Sequence, residues 1–336
     1  MKITWLASLF FGLALASGCA TMGGGGEKGK VSILVDLDPA SADRTVIVES
    51  ITADRQGRLY LADRVSGDVL RVDPRYANPV PVARIEPREI QGKKTNADAS
   101  GVEFNQQGDL FIASGPFSAV VRVHADELNP QKPGRAQMFA TGAEGANGIA
   151  FDKQGNLYIS GGRTGKIYRV GPGGGSALPF AEIPGFVRTL PDGKTEQTIV
   201  ANGLAFDSRG ALYAADTARG AVWRITIGAD GKAAKPEKIT ESPLLEGADG
   251  LAFDKTGKLW VTANERNALV TIAADGKVQE VTKNGGKGPL EFPSAIVFVG
   301  DTAYISNNDT PRRDNMDANG KTALDGIGAS IARITP

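Results

Sequence analysis

The sequence predicts an all-β fold, a six-bladed β-propeller closed by an N-terminal strand in the last blade. Three observations predict it. A unit of short apolar and aromatic runs broken by Gly-containing turns recurs six times, its aromatic marker repeats at blade spacing, and no long helical periodicity lies between the repeats. The unit is plainest in residues 201–227, ANGLAFDSRGALYAADTARGAVWRITI, where runs at 204–206, 212–215 and 222–227 are parted by Asp-Ser-Arg-Gly and Asp-Thr-Ala-Arg-Gly. A fourth run at 237–240 completes an antiparallel meander. The aromatics of the second strands are Tyr60, Phe111, Tyr158, Tyr213, Trp260 and Tyr304, spaced by about 44 to 55 residues. One meander cannot bury both of its faces, but six packed radially cover one another. The 336 residues therefore form one domain rather than the two that length alone suggests.

In chain order, Lys2 precedes an apolar run over residues 3–16 and small residues lead to Cys19, so residues 1–18 read as a signal peptide. Leu15-Ala16-Ser17-Gly18-Cys19 resembles a bacterial lipobox, with its Leu one place further from the Cys than is usual, and implies lipidation of Cys19. Ala20 after that Cys points to outer-membrane sorting of an exported lipoprotein. Residues 19–30, with four consecutive glycines, make a tether from lipid to domain. The propeller occupies residues 31–336. Its blades are expected at 51–85, 102–141, 149–183, 204–240, 251–282, and 296–335 joined by 31–37. The last repeat has no fourth strand after its third, and the apolar run 31–37 has no hairpin partner nearby, so each supplies what the other lacks.

Charge excludes one class of partner. Lys and Arg number 38 against 38 Asp and Glu, so nothing favours nucleic acid, and membrane contact is expected through the lipid alone. Strand order puts the loops that join second to third strands, and those entering the next blade, on one face. The long segments 86–99, 184–200, 283–293 and 308–328 all fall there, and Asp63, Asp216, Asn264 and Asn307 are expected to face the same way.

Eleven residues before each aromatic, at the top of the inner strand, stand Glu49, Ser100, Asn147, Asn202 and Asp249; Ser294 precedes Tyr304 by ten. Sixfold repetition places these around one central channel. Two carboxylates and two carboxamides converging there offer an all-oxygen site for a divalent cation (Ca, Mg, Mn or Zn), with Glu49, Asn202 and Asp249 as ligands. In any one repeat, Asn-Gly or Asp-Gly would pass for a turn; the joint placement argues otherwise. The glycines that follow, Gly101, Gly148, Gly203 and Gly250, suit close packing near the axis.

These residues resemble the SMP-30/gluconolactonase family of six-bladed propellers. Glu49-Ser50 looks like its N-terminal metal-binding Glu segment, Asn202-Gly203-Leu204 its Asn-Gly ligand, and Asp249-Gly250-Leu251 its Asp-Gly segment, whose Asp is both ligand and proposed base. Asn147-Gly148 falls where the family has an Asn that helps hold substrate and water. Two segments depart. Ile-Thr-Ala replaces Pro-Val-Trp, and Gly-Ala-Asn-Gly replaces Arg-Phe-Asn-Asp-Gly, so a substrate-binding Arg is missing. The resemblance implies a metal-dependent hydrolase of lactones or related cyclic esters, with Asn147 and Ser100 orienting a small-molecule substrate or water. The alternative is a non-enzymatic propeller that uses this face for a protein or glycan.

Other features carry less. His124, the only histidine, follows a third strand and reads as a surface residue, which excludes a Ser-His-Asp triad. Gly171-Pro172-Gly173-Gly174-Gly175 has no helix after it and reads as a turn on the opposite face, not a phosphate loop. Residues 315–320 resemble the start of a calcium loop, but the twelfth position is Gly326 rather than Glu.

Overall fold

A computed structural model describes residues 29–38, 45–189, 192–286, 288–310 and 328–336; the leader, Cys19 and the 315–320 segment lie outside them. Six antiparallel sheets are arranged as a ring, and no α-helix occurs among the described residues. The inner strands are Thr52–Ala53, Ala99–Phe104, Ile149–Phe151, Leu204–Phe206, Ala248–Phe253 and Pro293–Val299. The ring closes as expected: Ser32–Asp36 pairs antiparallel with Ser330–Ile334, Ser32 facing Arg333, as the outer strand of the sixth blade.

The recurring aromatic makes the joint between blades. Tyr60, Phe111, Tyr158, Tyr213 and Trp260 each pack edge-to-face on a Phe of the next inner strand (Phe104, Phe151, Phe206, Phe253, Phe298), with centroids 4.9 to 5.7 Å apart. Such pairs contribute about 0.5–1.5 kcal/mol beyond their buried area. The sixth joint differs. Tyr304 meets blade one where Ala53 replaces the Phe, among aliphatic side chains. Polar ends of the aromatics are also used: the Tyr60 and Tyr158 hydroxyls and the Trp260 indole donate to Asp54, Asp152 and Asp254 at 3.0 to 3.2 Å. Those aspartates in turn accept the backbone N–H groups of the inner hairpins.

Two blades gain a fifth strand. Gly134–Arg135 runs parallel to Asn78–Arg84 of blade one, and Gly175–Ser176 parallel to Gln137–Thr141 of blade two. The glycine run expected as a simple turn thus also covers a neighbouring sheet edge, which would otherwise present unpaired backbone groups.

Near the axis the blades approach closely. A Cβ on Gly101, Gly148 or Gly203 would lie 2.4, 2.4 and 2.3 Å from the carbonyl oxygens of Asn147, Asn202 and Asp249, so no other residue fits. The contact is a bonded one: Gly101 N–H donates to Asn147 at 2.9 Å and Gly203 N–H to Asp249 at 3.1 Å. Hydroxyls add to it, Ser160, Thr262 and Ser306 donating to the carbonyls of Asn202, Ser294 and Glu49 at 2.6, 3.2 and 3.1 Å. Five of the six ring residues, Glu49, Asn147, Asn202, Asp249 and Ser294, are thereby held by their main chain to the blade before them.

Candidate functional site

All six ring residues line one central cavity of about 70 Å³. Beneath them Ile51, Val102, Ile149, Leu204, Leu251 and Ile296, two residues further down each inner strand, line the same channel. The room suits a cation and one or two waters, since a water occupies about 30 Å³ in the liquid. An organic substrate needs more. A second space of about 450 Å³ adjoins it, sharing Glu49, Ser100 and Asn147 and adding Arg64, Asp98, Gly115, Gly162, Arg163 and Gln197. This cleft lies over blades two and three.

Four residues past each aromatic the chain places Arg64, Gly115, Gly162, Thr217, Asn264 and Asn308. These form a second ring, and three of them hold the expected ligands. Arg64 Nη1 is bonded to Glu49 Oε2, Asn264 Nδ2 donates to Asp249 Oδ2 at 2.9 Å, and Asn202 Nδ2 donates to Thr217 Oγ1 at 3.0 Å. Each candidate ligand thus has one polar atom fixed by its own blade. The other oxygens, Glu49 Oε1, Asn202 Oδ1 and Asp249 Oδ1, have no hydrogen-bond partner among the described residues. That is how supporting side chains orient metal ligands. The glycines of blades two and three leave the gap that becomes the cleft.

The sequence reading placed Asn264 correctly and missed Arg64 and Thr217. Asp63, Asp216 and Asn307 do other work. Asp63 accepts from the N–H groups of Ile47, Val65 and Ser66, Asp216 from Arg219 and Trp223, and Asn307 bridges Glu291, Pro289 and Ser330. They hold turns. The two serines of the ring bond to their neighbours: the Ser100 hydroxyl is placed to donate to the carbonyls of Ala146 and Asn147 at 3.2 Å, and Ser294 bonds Ser306. Asn147 keeps its side chain without a described partner, at the border of cavity and cleft. His124 sits on the opposite face against Asp109 and Arg122, a surface residue as expected.

Electrostatics single out the pair Glu49 and Asp249. Burial, then the charge of Glu49, lifts the Asp249 carboxyl well above the usual carboxylate range, against the Asn264 hydrogen bond and Arg64. Burial also lifts Glu49, while Arg64 pulls it back and Asp98 adds to the rise. Two buried carboxylates sharing a cavity with a single guanidinium remain short of positive charge. Among the described residues no three His, Cys, Asp or Glu side chains converge, so the set that fits a cation is two carboxylates and the Asn202 carbonyl oxygen. Lower in the channel Glu103 stands where the other blades have Thr, Ala or Val. Burial pushes its carboxyl up to about 7, against bonds from the Phe104 N–H and the Thr52 hydroxyl.

A six-bladed ring of antiparallel sheets with a polar cavity at the top of its inner strands defines a β-propeller. The chain belongs to the SMP-30/gluconolactonase/LRE-like family, whose model matches residues 49–307. No curated protein matches it. Among solved structures it is similar to a gluconolactonase from Xanthomonas campestris (16% identity, 91% of this chain and 89% of that one, TM-score 0.61). It is also similar to regucalcin, a calcium-binding protein from Agrobacterium tumefaciens (15%, 87% and 92%, TM-score 0.56). A catalytically inactive histidine-to-alanine form of virginiamycin B lyase from Staphylococcus aureus, with quinupristin, shares the fold as well (15%, 91% and 99%, TM-score 0.55).

Proposed function

We propose that this protein is a divalent-cation-dependent hydrolase of lactones or related cyclic esters. The observation that carries the reading is the set Glu49, Asn202 and Asp249, each fixed on one side by its own blade and left with one oxygen for the channel. These three would hold the cation, which supplies Lewis-acid polarisation of the ester carbonyl. The ring ester occupies the cleft over blades two and three, because the channel is too small for it. Asn147 donates from the border to orient ester or water. Asp249 takes the proton of the attacking water, its carboxylate oriented through Oδ2 by Asn264.

The chemistry of the histidine-dependent lyase does not carry over, since the one histidine here is on the far face. One observation favours the binding reading. Two exposed β-hairpins, Arg88–Ile90 with Lys93–Thr95 and Val187–Thr189 with Thr195–Gln197, rise on the cleft face and offer edges to a protein or glycan. Turnover separates the two. A panel of five- and six-membered lactones, assayed with purified protein before and after EDTA, should show hydrolysis that chelation abolishes and Ca, Mg, Mn or Zn restores. Stoichiometric cation with no hydrolysis of any lactone would favour the binding propeller.

Cys19 and its leader carry the proposal of an exported lipoprotein at the outer membrane. Cys19→Ser should move the protein from membrane to soluble fractions; unchanged fractionation would overturn the anchor.

A further inference from the structure

Of the three candidate ligands, two are held by neutral groups and one by a cation. Asn264 and Thr217 leave the charge on their side of the ring untouched. Arg64 does not. Its Nη1 is bonded to Glu49 Oε2 and its Nε to Asp98 Oδ1 at 2.6 Å, with the side chain 27% exposed. The residue is built into place: Asp63, 4% exposed, collects the N–H groups of Ile47, Val65 and Ser66, and Arg64 N–H donates to Ile47 O at 2.8 Å. Asp98, at φ 45°, holds the far side of the guanidinium in a backbone conformation that non-glycine residues seldom adopt. No other blade places a charge at this position.

We propose that Arg64 is the residue that sets the affinity of the ring for its cation, acting as an internal counter-ion that weakens binding. The inference rests on the cation reading above. A guanidinium bonded to a ligand carboxylate cancels one of the two negative charges that draw a dication into the channel, and its repulsion is poorly screened at this depth. Glu49 is then restricted to Oε1, a one-oxygen ligand, because Oε2 is taken. Affinity in oxygen sites follows the count of charged ligands and the rigidity of the cage. Asp98 has the opposite sign of effect: it offsets the guanidinium charge and keeps it drawn toward the rim.

Calorimetric titration of the metal-stripped full-length protein with Ca²⁺ and with Mn²⁺ tests this. Arg64→Gln should bind about tenfold more tightly or better, Arg64→Lys should stay near wild type, and Asp98→Asn should bind more weakly. Melting curves establish that each variant is folded. A residue that merely positions Glu49 would weaken binding when either Arg64 or Asp98 is changed, so opposite signs from the two partners are the signature. Equal or weaker binding by Arg64→Gln overturns the proposal. Should Arg64→Gln not fold, Asp98→Asn binding as tightly as wild type does the same. If no variant and no wild type takes up either cation, the cation reading falls along with it, whereas equal binding in all of them overturns the role of Arg64 alone.

Discussion

Blades four and five differ from blades two and three at the position four residues past the aromatic, and that position separates a cage from an opening. Four residues past the aromatic, Thr217 and Asn264 reach across to their own ring residues, while Gly115 and Gly162 reach nowhere and leave open space above Ser100 and Asn147. The aromatic joints below are alike. A propeller can thus become asymmetric at one end without disturbing the packing that holds it together, because the loops after the second strands bear no part of the aromatic joints.

The contrast can be broken from either side. The largest effect is expected at the cage: Asp249→Asn keeps shape and loses charge, and cation affinity measured by calorimetry should fall by about a hundredfold or more. On the open side, Gly115→Leu should fill the cleft. Its Cβ would stand 3.4 Å from Ala146 O, an ordinary contact, so the fold should survive, lactone turnover should drop by about tenfold or more, and cation affinity should be unchanged. Loss of both together would mean that cleft and cage are not separable.

Deeper in blade two the contrast continues at Glu103. Its carboxyl in the folded chain titrates near 7 against an ordinary 4.5, so the folded state binds the proton more strongly. The resulting stabilisation is full below the ordinary value and is lost as pH rises through 4.5 toward 7. Glu103→Gln should therefore leave the melting temperature near pH 4 little changed and raise stability at pH 8 by about 2 kcal/mol. A melting temperature independent of pH in both proteins would rule the buried proton out. The smallest effect is expected at Asn264→Ala, which frees Asp249 Oδ2 without removing the ligand: cation affinity should fall by about tenfold.

Much of this was readable from the chain. The aromatic marker fixed blade number and register because one side chain makes the same joint five times, and counting back from it placed all six ring residues in the observed channel. The closing strand was readable from a missing partner. What escaped was direction. An offset of four residues identifies Arg64 and Thr217 as equivalent, but only the folded loop shows that both bend inward onto their own ring residues while Asp63 and Asp216 turn back onto the chain. The direction of the Ser100 hydroxyl escaped for a similar reason: a short hydroxyl takes the nearest carbonyl, and blade three supplies it. The departure at the family's Arg segment was legible, yet it concealed that a guanidinium enters the same site from blade one.

The seam between blades six and one has a consequence in time. Its sheet pairs Ser32–Asp36 with Ser330–Ile334, strands far apart in sequence, and its joint to blade one is the one where Ala53 stands in place of a Phe. During synthesis the strand Ser32–Asp36 appears long before Ser330–Ile334, with which it pairs, and it waits as a bare edge until that strand arrives. Five joints can form by zipping neighbours together; the sixth requires the whole arc to bend shut, a search dominated by the most distant contacts in the chain. The last joint to form should then be the first to part under heat or pulling, so that the protein opens as a broken necklace does, at the clasp.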